Sequence, residues 1–261
     1  MFVKKVVGVL RAISGSPNPK NFTSAIIAAA GLSERFGGTE TKQMTKLCGT
    51  PVLLHTLKAF ENTECIHEII IVAKENEIPY WQEACKEYKI TKLTKIVVGA
   101  DTRQKSVMNG LEAVDERSKF VAIADGARCL ITPEQITSVC RSAYKYKAAT
   151  AAHRATDTVK VADSKGFIDS TADRNSVWLA QTPQVFKTKL YRAAAVIAVE
   201  KKFEGTDDNS LVEFIGHPIR LVECGSQNIK ITTYDDLAAA RGILKVRKAL
   251  TPEIYYGTNE E

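Results

Sequence analysis

The sequence predicts an α/β fold: a single domain with a mainly parallel sheet sandwiched by helices, and a projecting β-arm. Three observations predict it. Short apolar runs alternate with helical stretches through the first 152 residues. This spacing suits parallel strands joined by crossover helices. The alternation breaks into a polar, turn-rich stretch at Thr156–Ser170, and the α/β pattern then resumes. No internal repeat and no linker divide the chain.

The elements follow in order. Ser24–Ala30 is a continuous apolar run, as expected of a strand buried on both faces. A loop starts at Gly31. Pro51–Glu61 carries Val52, Leu53, Leu57 and Phe60 near helical spacing. Ile66–Ala73 is a second strand, Ile78–Tyr88 a helix and Lys95–Gly99 a third strand. Ser106–Val114 is helical, and Lys119–Ala124 is a strand ending at Asp125. A helix over Pro133–Lys147 and a strand over Ala148–Ala152 follow. Thr156–Ser170 is a hairpin turning at Asp163–Gly166, within an arm spanning about 152–175. Helices at Thr188–Lys201 and Asp208–Ile215, a strand at Ile219–Glu223 and a helix at Tyr234–Ala249 complete the domain.

The domain spans 24–248, with an N-terminal extension over 1–23 and a polar tail over 249–261. At 261 residues the chain can bury a substantial core without disulfides. Its six cysteines form no C-x-x-C pair and no zinc-ligand spacing with histidine. Packing in a reducing cytoplasm is their expected use. No stretch is long and apolar enough for a membrane span. The formal charge of +6 admits nucleic acid, a membrane surface or a polyanionic substrate. No basic stripe interleaved with aromatics supports nucleic acid.

Four places carry chemistry-bearing residues. Ala28-Ala29-Ala30-Gly31 leads to Arg35, Gly37-Gly38 and Lys42-Gln43. Small residues let backbone N–H groups approach a ligand, and two nearby cations suit a polyphosphate. Neither a G-K-[ST] phosphate loop nor a G-x-G-x-x-G fingerprint is present. A plain turn with solvated charges is the alternative. Asp125 ends a buried strand and precedes Gly126-Ala127-Arg128. Ligands of open parallel sheets sit at such strand ends, where an Asp can meet a magnesium water shell or a ribose hydroxyl. A loop Asp capping local backbone is its alternative. Arg174 precedes Trp178 and Gln181-Thr182-Pro183-Gln184; it suits bidentate phosphate binding, or a surface ion pair. Lys230 follows a strand and is a phosphate cation or a solvated lysine.

Taken together, these residues resemble the 2-C-methyl-D-erythritol 4-phosphate cytidylyltransferase family. The matching elements are A-A-A-G-x-x-x-R at Ala28–Arg35, K-Q at Lys42-Gln43 and A-D-x-R-x-x-S-V at Ala100–Val107. D-G-A-R at Asp125–Arg128, D-T-V-K at Asp157–Lys160 and D-R-N-x-x-W-x-A-Q-T-P-Q at Asp173–Gln184 continue the series. T-D-D-x-S at Thr206–Ser210 and N-I-K-I-T at Asn228–Thr232 close it. The order of the set, not any one motif, carries the resemblance. Ala28, Ala124 and Cys129 stand where family members commonly have Pro, His and Pro, and His153–Thr158 matches more loosely.

The resemblance implies a GT-A-like, Rossmann-like nucleotidyltransferase fold and a homodimer whose arms reach across to the neighbouring subunit. It implies transfer of CMP from CTP to methylerythritol 4-phosphate with Mg²⁺, releasing pyrophosphate. It assigns Arg35, Lys42, Arg174 and Lys230 to catalysis. Ala28, Ala29, Gly31, Ala100, Asp101 and Ser106 fall on the nucleotide base. Asp125 and Gly126 fall on the ribose side, with Asp125 near the metal. Arg128, Thr158, Thr182 and Thr206 fall on the methylerythritol pocket. The rival readings are a ribitol 5-phosphate cytidylyltransferase and a non-catalytic nucleotide-binding protein.

Overall fold

In the computed structural model, residues 6–9, 19–31 and 41–250 are described. Strand β2 (Thr23–Ala28) is the axis of the sheet. It pairs in parallel with β5 (Glu68–Ala73) on one side and β7 (Phe120–Asp125) on the other. Its side chains alternate between two cores. Ala25 and Ile27 join Leu53, Leu57 and Phe60 of α1 (Val52–Glu61), Trp81 of α2 (Ile78–Glu87) and Ile136 and Val139 of α4 (Pro133–Tyr146). Ile26 faces the opposite core, with Val107 and Leu111 of α3 (Arg103–Ala113), Ala194 of α5 (Thr188–Glu200) and Leu211 of α6 (Asp208–Phe214). A strand buried on both faces needs apolar residues at every position, which is why this run shows no polar alternation. Glu68 is the exception at the start of β5. Its buried carboxylate accepts from Ser24 Oγ, Thr94 Oγ1 and the Asp115 N–H, so its oxygens are paired.

The other strands of this sheet are β1 (Val6–Val9), β6 (Leu93–Val98), β8 (Ala148–Arg154), β11 (Trp178–Lys187) and β12 (Arg220–Glu223). The eight strands run in the order β1-β6-β5-β2-β7-β11-β8-β12. Six of them share one direction; β1 and β11 oppose it. A third apolar cluster lies beneath the short hairpin of β3 (Lys46–Leu47) and β4 (Thr50–Pro51). There Leu47 and Val52 meet Leu130 and, from α7 (Tyr234–Leu250), Leu237 and Leu244.

The structure differs from the sequence reading at three elements and agrees with it at the arm. β11 lies in a stretch read only as a motif. Its Gln181–Gln184 portion is polar and contains Pro183, and its register against β8 shifts between Ala180 and Gln184. Proline is tolerated at such an irregularity, and the polar side chains there are buried with partners, so hydrophobic pattern could not reveal the strand. Because β11 returns from the arm, it enters antiparallel between β7 and β8. Helix α3 begins at Arg103, three residues earlier than expected, because the Thr102 hydroxyl accepts from Lys105 N–H and caps it. Within the expected extension, Val6–Val9 pairs antiparallel with β6, adding a strand to that edge of the domain sheet. The arm is a two-stranded ribbon, β9 (Lys160–Ala162) with β10 (Ile168–Thr171). Residues 1–5 and 10–18 of the extension and the tail beyond Leu250 lie outside the described residues.

Candidate active site

The carboxyl ends of β2, β6 and β7 open onto a cleft of about 330 Å³. Its walls include Ala28, Ala30 and Gly31 after β2, Ala100–Arg103 after β6, and Asp125 and Ala127 at the end of β7. Lys42, Gln43, Ser106 and Lys230 complete the lining. Gly99 lets the β6 and β2 ends approach: a Cβ there would lie 2.3 Å from Ala30 Cβ. Ser106 then fixes the loop, because its Oγ accepts from the Ala100 N–H at 2.9 Å. A cavity of similar size, about 310 Å³, opens at Gln82, Cys85, Lys89 and Leu93. It holds no carboxylate and lies at no strand carboxyl end, so the cleft at Asp125 is the candidate site.

Asp125 is the centre of charge. Lys230 Nζ lies 3.0 Å and Arg128 Nε 3.6 Å from its Oδ2, and Arg103 Nε lies 3.3 Å from its Oδ1. Its backbone N–H donates to Thr182 Oγ1 at 3.0 Å. Burial by itself would push this carboxyl up. Arg103, Lys230 and Arg128 outweigh burial and hold it at about 2. Arg103, Arg128 and Lys230 exceed by one the two carboxylates they face, Asp125 and Asp208, and Lys42 lines the same cleft. An anion entering here meets cations already held in place, the arrangement that stabilises charge without reorganisation. Gln43 is also buried, and its Oε1 accepts no hydrogen bond from the described residues.

A sequence model of the family described as "2-C-methyl-D-erythritol 4-phosphate cytidylyltransferase" (IspD) matches residues 23–246. The chain belongs to this family. A cytidylyltransferase of that description from Caldanaerobacter subterraneus subsp. tengcongensis is 45% identical over 223 residues, 85% of this chain and 98% of that protein. One from Pelotomaculum thermopropionicum is 39% identical, covering 88% and 97%. Among solved structures, 4-diphosphocytidyl-2C-methyl-D-erythritol synthase from Anaerococcus prevotii matches with a TM-score of 0.78 at 32% identity. It covers 86% of this chain and 99% of that one.

The fold of this cytidylyltransferase family member places the anticipated residues unevenly. Ala28, Gly31, Lys42, Ala100, Asp101, Ser106, Asp125 and Lys230 share the cleft. Arg35, Gly37 and Gly38 lie outside the described residues. Two anticipated residues do not line this cleft. Ala29 is buried in the core against the α1 side, and Ala30 takes its place on the wall. Gly126 spends both backbone groups internally, its N–H on Ala28 O and its carbonyl on Thr56 Oγ1. Ala127 lines the cleft instead. Thr182 is buried behind Asp125 and serves as its acceptor. Arg128 donates to Asn228 O at 2.7 Å while facing Asp125. Thr158 and Arg174 are exposed at the base of the arm, where Arg174 donates to Thr156 O. Thr206 is exposed beside Ser210, and none of these three lines the cleft of its own chain.

The sequence reading missed Arg103, although it stands inside the quoted A-D-x-R element. Its role follows from contact with Asp125 on a different strand, which spacing along the chain does not encode. Gln43 stands in the sequence only as half of K-Q. Its amide oxygen, which accepts no bond from the described residues, is buried by what packs over it.

Proposed function

We infer that this chain transfers the CMP group of CTP to 2-C-methyl-D-erythritol 4-phosphate, giving 4-diphosphocytidyl-2-C-methyl-D-erythritol and pyrophosphate. The reaction belongs to the non-mevalonate route to isoprenoid precursors. Membership of the family over most of the chain supports the reaction, and the cation cluster on Asp125 is the observation that carries its chemistry here. A phosphate oxygen of the acceptor attacks the α-phosphorus of CTP in line. The new P–O bond forms as the bond to the β-phosphate oxygen breaks, and pyrophosphate leaves. No covalent enzyme intermediate is needed, so catalysis is positioning and charge stabilisation.

We assign the roles from the family resemblance and the cleft lining. Lys42, on the wall, and Arg35, by the resemblance alone, stabilise the triphosphate and the charge that develops on it. Lys230, aimed by Asp125, holds the attacking phosphate beside it. Ala28–Gly31, with Ala100, Asp101 and Ser106, accept the base largely through backbone groups, and the ribose falls on the side of Asp125 and Gly126. Mg²⁺ fits as a partner of the triphosphate rather than as a caged ion. The described residues contain no group of three or more His, Cys, Asp or Glu side chains able to hold a metal. They do offer the Asp125 carboxylate at the cleft, with Gln43 among its lining residues. Magnesium commonly keeps its waters and binds through one carboxylate plus substrate phosphates. When bound, it neutralises phosphate charge.

The homodimer reading rests on the arm. Phe167 and Ile168 are 70% and 66% exposed on a two-stranded ribbon that no core of its own supports. A second subunit covering the ribbon would also receive Arg174 and Thr158 at its base, and Arg174 of the partner subunit would then meet the attacking phosphate. Six free thiols favour a reducing cytoplasm as the setting. Among the described residues no helix is long and apolar enough to cross a membrane.

The deciding experiment measures pyrophosphate release from CTP and Mg²⁺ with methylerythritol 4-phosphate, beside ribitol 5-phosphate. Turnover with the first is expected. Turnover with ribitol 5-phosphate alone would overturn the reading.

A further inference from the structure

We propose that Asp208 is a positioning residue for cytidylyl transfer: backed by Tyr191, it fixes Arg103, and through Arg103 the Asp125 carboxylate that aims Lys230. Asp208 is completely buried at the start of α6. One oxygen lies 2.7 Å from Arg103 Nη2, and the other accepts from Tyr191 Oη at 2.6 Å. A buried carboxylate is costly unless paired; the Tyr191 contact is a hydrogen bond, and the Arg103 contact is a close ion pair whose alignment falls short of one. Tyr191 is itself fully buried and stacked on Phe186 with ring centroids 5.1 Å apart.

Arg103 spans the two carboxylates, with Nε on Asp125 and Nη2 on Asp208. A guanidinium is a rigid planar fork, so anchoring one end sets the direction of the other. The flanking Gln104 repeats the clasp. It donates to Phe203 O at 3.2 Å and accepts from Gly205 N–H at 3.2 Å. The start of α3, which forms a wall of the cleft, is thereby tied to the segment leading into α6. Helix capping does not account for Asp208, because Asp207 does that work. Asp207 Oδ1 accepts from Ser210 N–H at 2.9 Å, and Ser210 Oγ answers to the Asp207 backbone. Asp208 is left to serve Arg103.

This inference rests on the reading of Asp125 and Lys230 as the phosphate-handling centre. The test compares Asp208→Asn, Tyr191→Phe and the double variant, with rates expressed per folded molecule. Asp208→Asn is expected to lower kcat roughly 10–100-fold, because a small misplacement of a reacting group has that scale of effect. CTP affinity by calorimetry is read beside it, because Arg103 stands in the Ala100–Ser106 wall: a loss confined to CTP binding, with kcat unchanged, overturns the proposal. Tyr191→Phe is expected to lose less in the same parameter, and the double variant no more than Asp208→Asn, since both act through one chain of contacts. Wild-type kcat in folded Asp208→Asn, or additive losses in the double variant, overturns the proposal. If Asp208→Asn does not fold, Tyr191→Phe decides alone, and normal kcat there overturns it. Lys230→Ala separates the two levels: normal turnover in that variant refutes the site reading itself.

Discussion

Lys230 Nζ sits 3.0 Å from Asp125 Oδ2, joining the segment after β12 to the end of β7 across the mouth of the cleft. The pair does not neutralise the cleft, because Arg103 and Arg128 face the same carboxylate. Lys230 is about a third exposed while its partner is buried, so the ammonium is held at its base and open towards the cleft. Lys230→Ala and Lys42→Ala are each expected to lower turnover about 10²–10³-fold, the scale of losing one preorganised charge stabiliser. Steady-state rates with both substrates saturating check this, and near-normal turnover in either variant removes that residue from the mechanism.

The arm makes a prediction of a different kind. If each cleft uses Arg174 of the partner subunit, Arg174→Ala and Lys42→Ala chains should complement each other. Mixed and exchanged at equal amounts, they should recover about one quarter of wild-type turnover, since half of the dimers are hybrids with one complete site. No recovery despite demonstrated subunit exchange would place Arg174 in its own chain's cleft. Phe167→Ser with Ile168→Ser should shift the protein to monomer in light-scattering chromatography.

Gly99→Ala is expected to damage both stability and nucleotide binding. The new Cβ would meet Ala30 Cβ at 2.3 Å, and neither atom can rotate away. Overpacking of this sort costs about 1–3 kcal/mol, read as a shift in the urea midpoint. Because Ala30 lines the cleft, weakened CTP binding should accompany it. An unchanged midpoint would mean that the β2 and β6 ends are less closely joined.

The buried thiols predict alkaline behaviour. Burial pushes Cys85 and Cys129 up to about 12, from an ordinary 9.0. Above about pH 9 the unfolded chain gives up these protons while the folded chain keeps them. Stability therefore falls as pH rises from about 9 to about 12, by about 1.4 kcal/mol per unit for each thiol. Cys85→Ala and Cys129→Ala should each flatten that limb, whatever they do to stability at neutral pH. An unchanged slope of unfolding free energy against pH would show that the thiols ionise alike in both states.

The sequence by itself determined the parallel half of the sheet. β2, β5 and β7 are apolar at nearly every position because both of their faces are covered, and that pattern is local. It also placed Asp125 at a strand end, and its ordered motifs pointed to the family. Only the tertiary structure decided the rest. β11 is a strand because Gln181, Gln184 and Asn228 satisfy one another's neighbourhood in the interior, as in the bond from Asn228 Nδ2 to Gln181 Oε1. No hydrophobic period records such pairing. Arg103 belongs to the site because the chain brings Asp125 and Asp208, 83 residues apart in number, to the two ends of one guanidinium. Charge in a sequence has a sign and a position along the chain. Its distance from other charges, and its removal from water, come only with the fold.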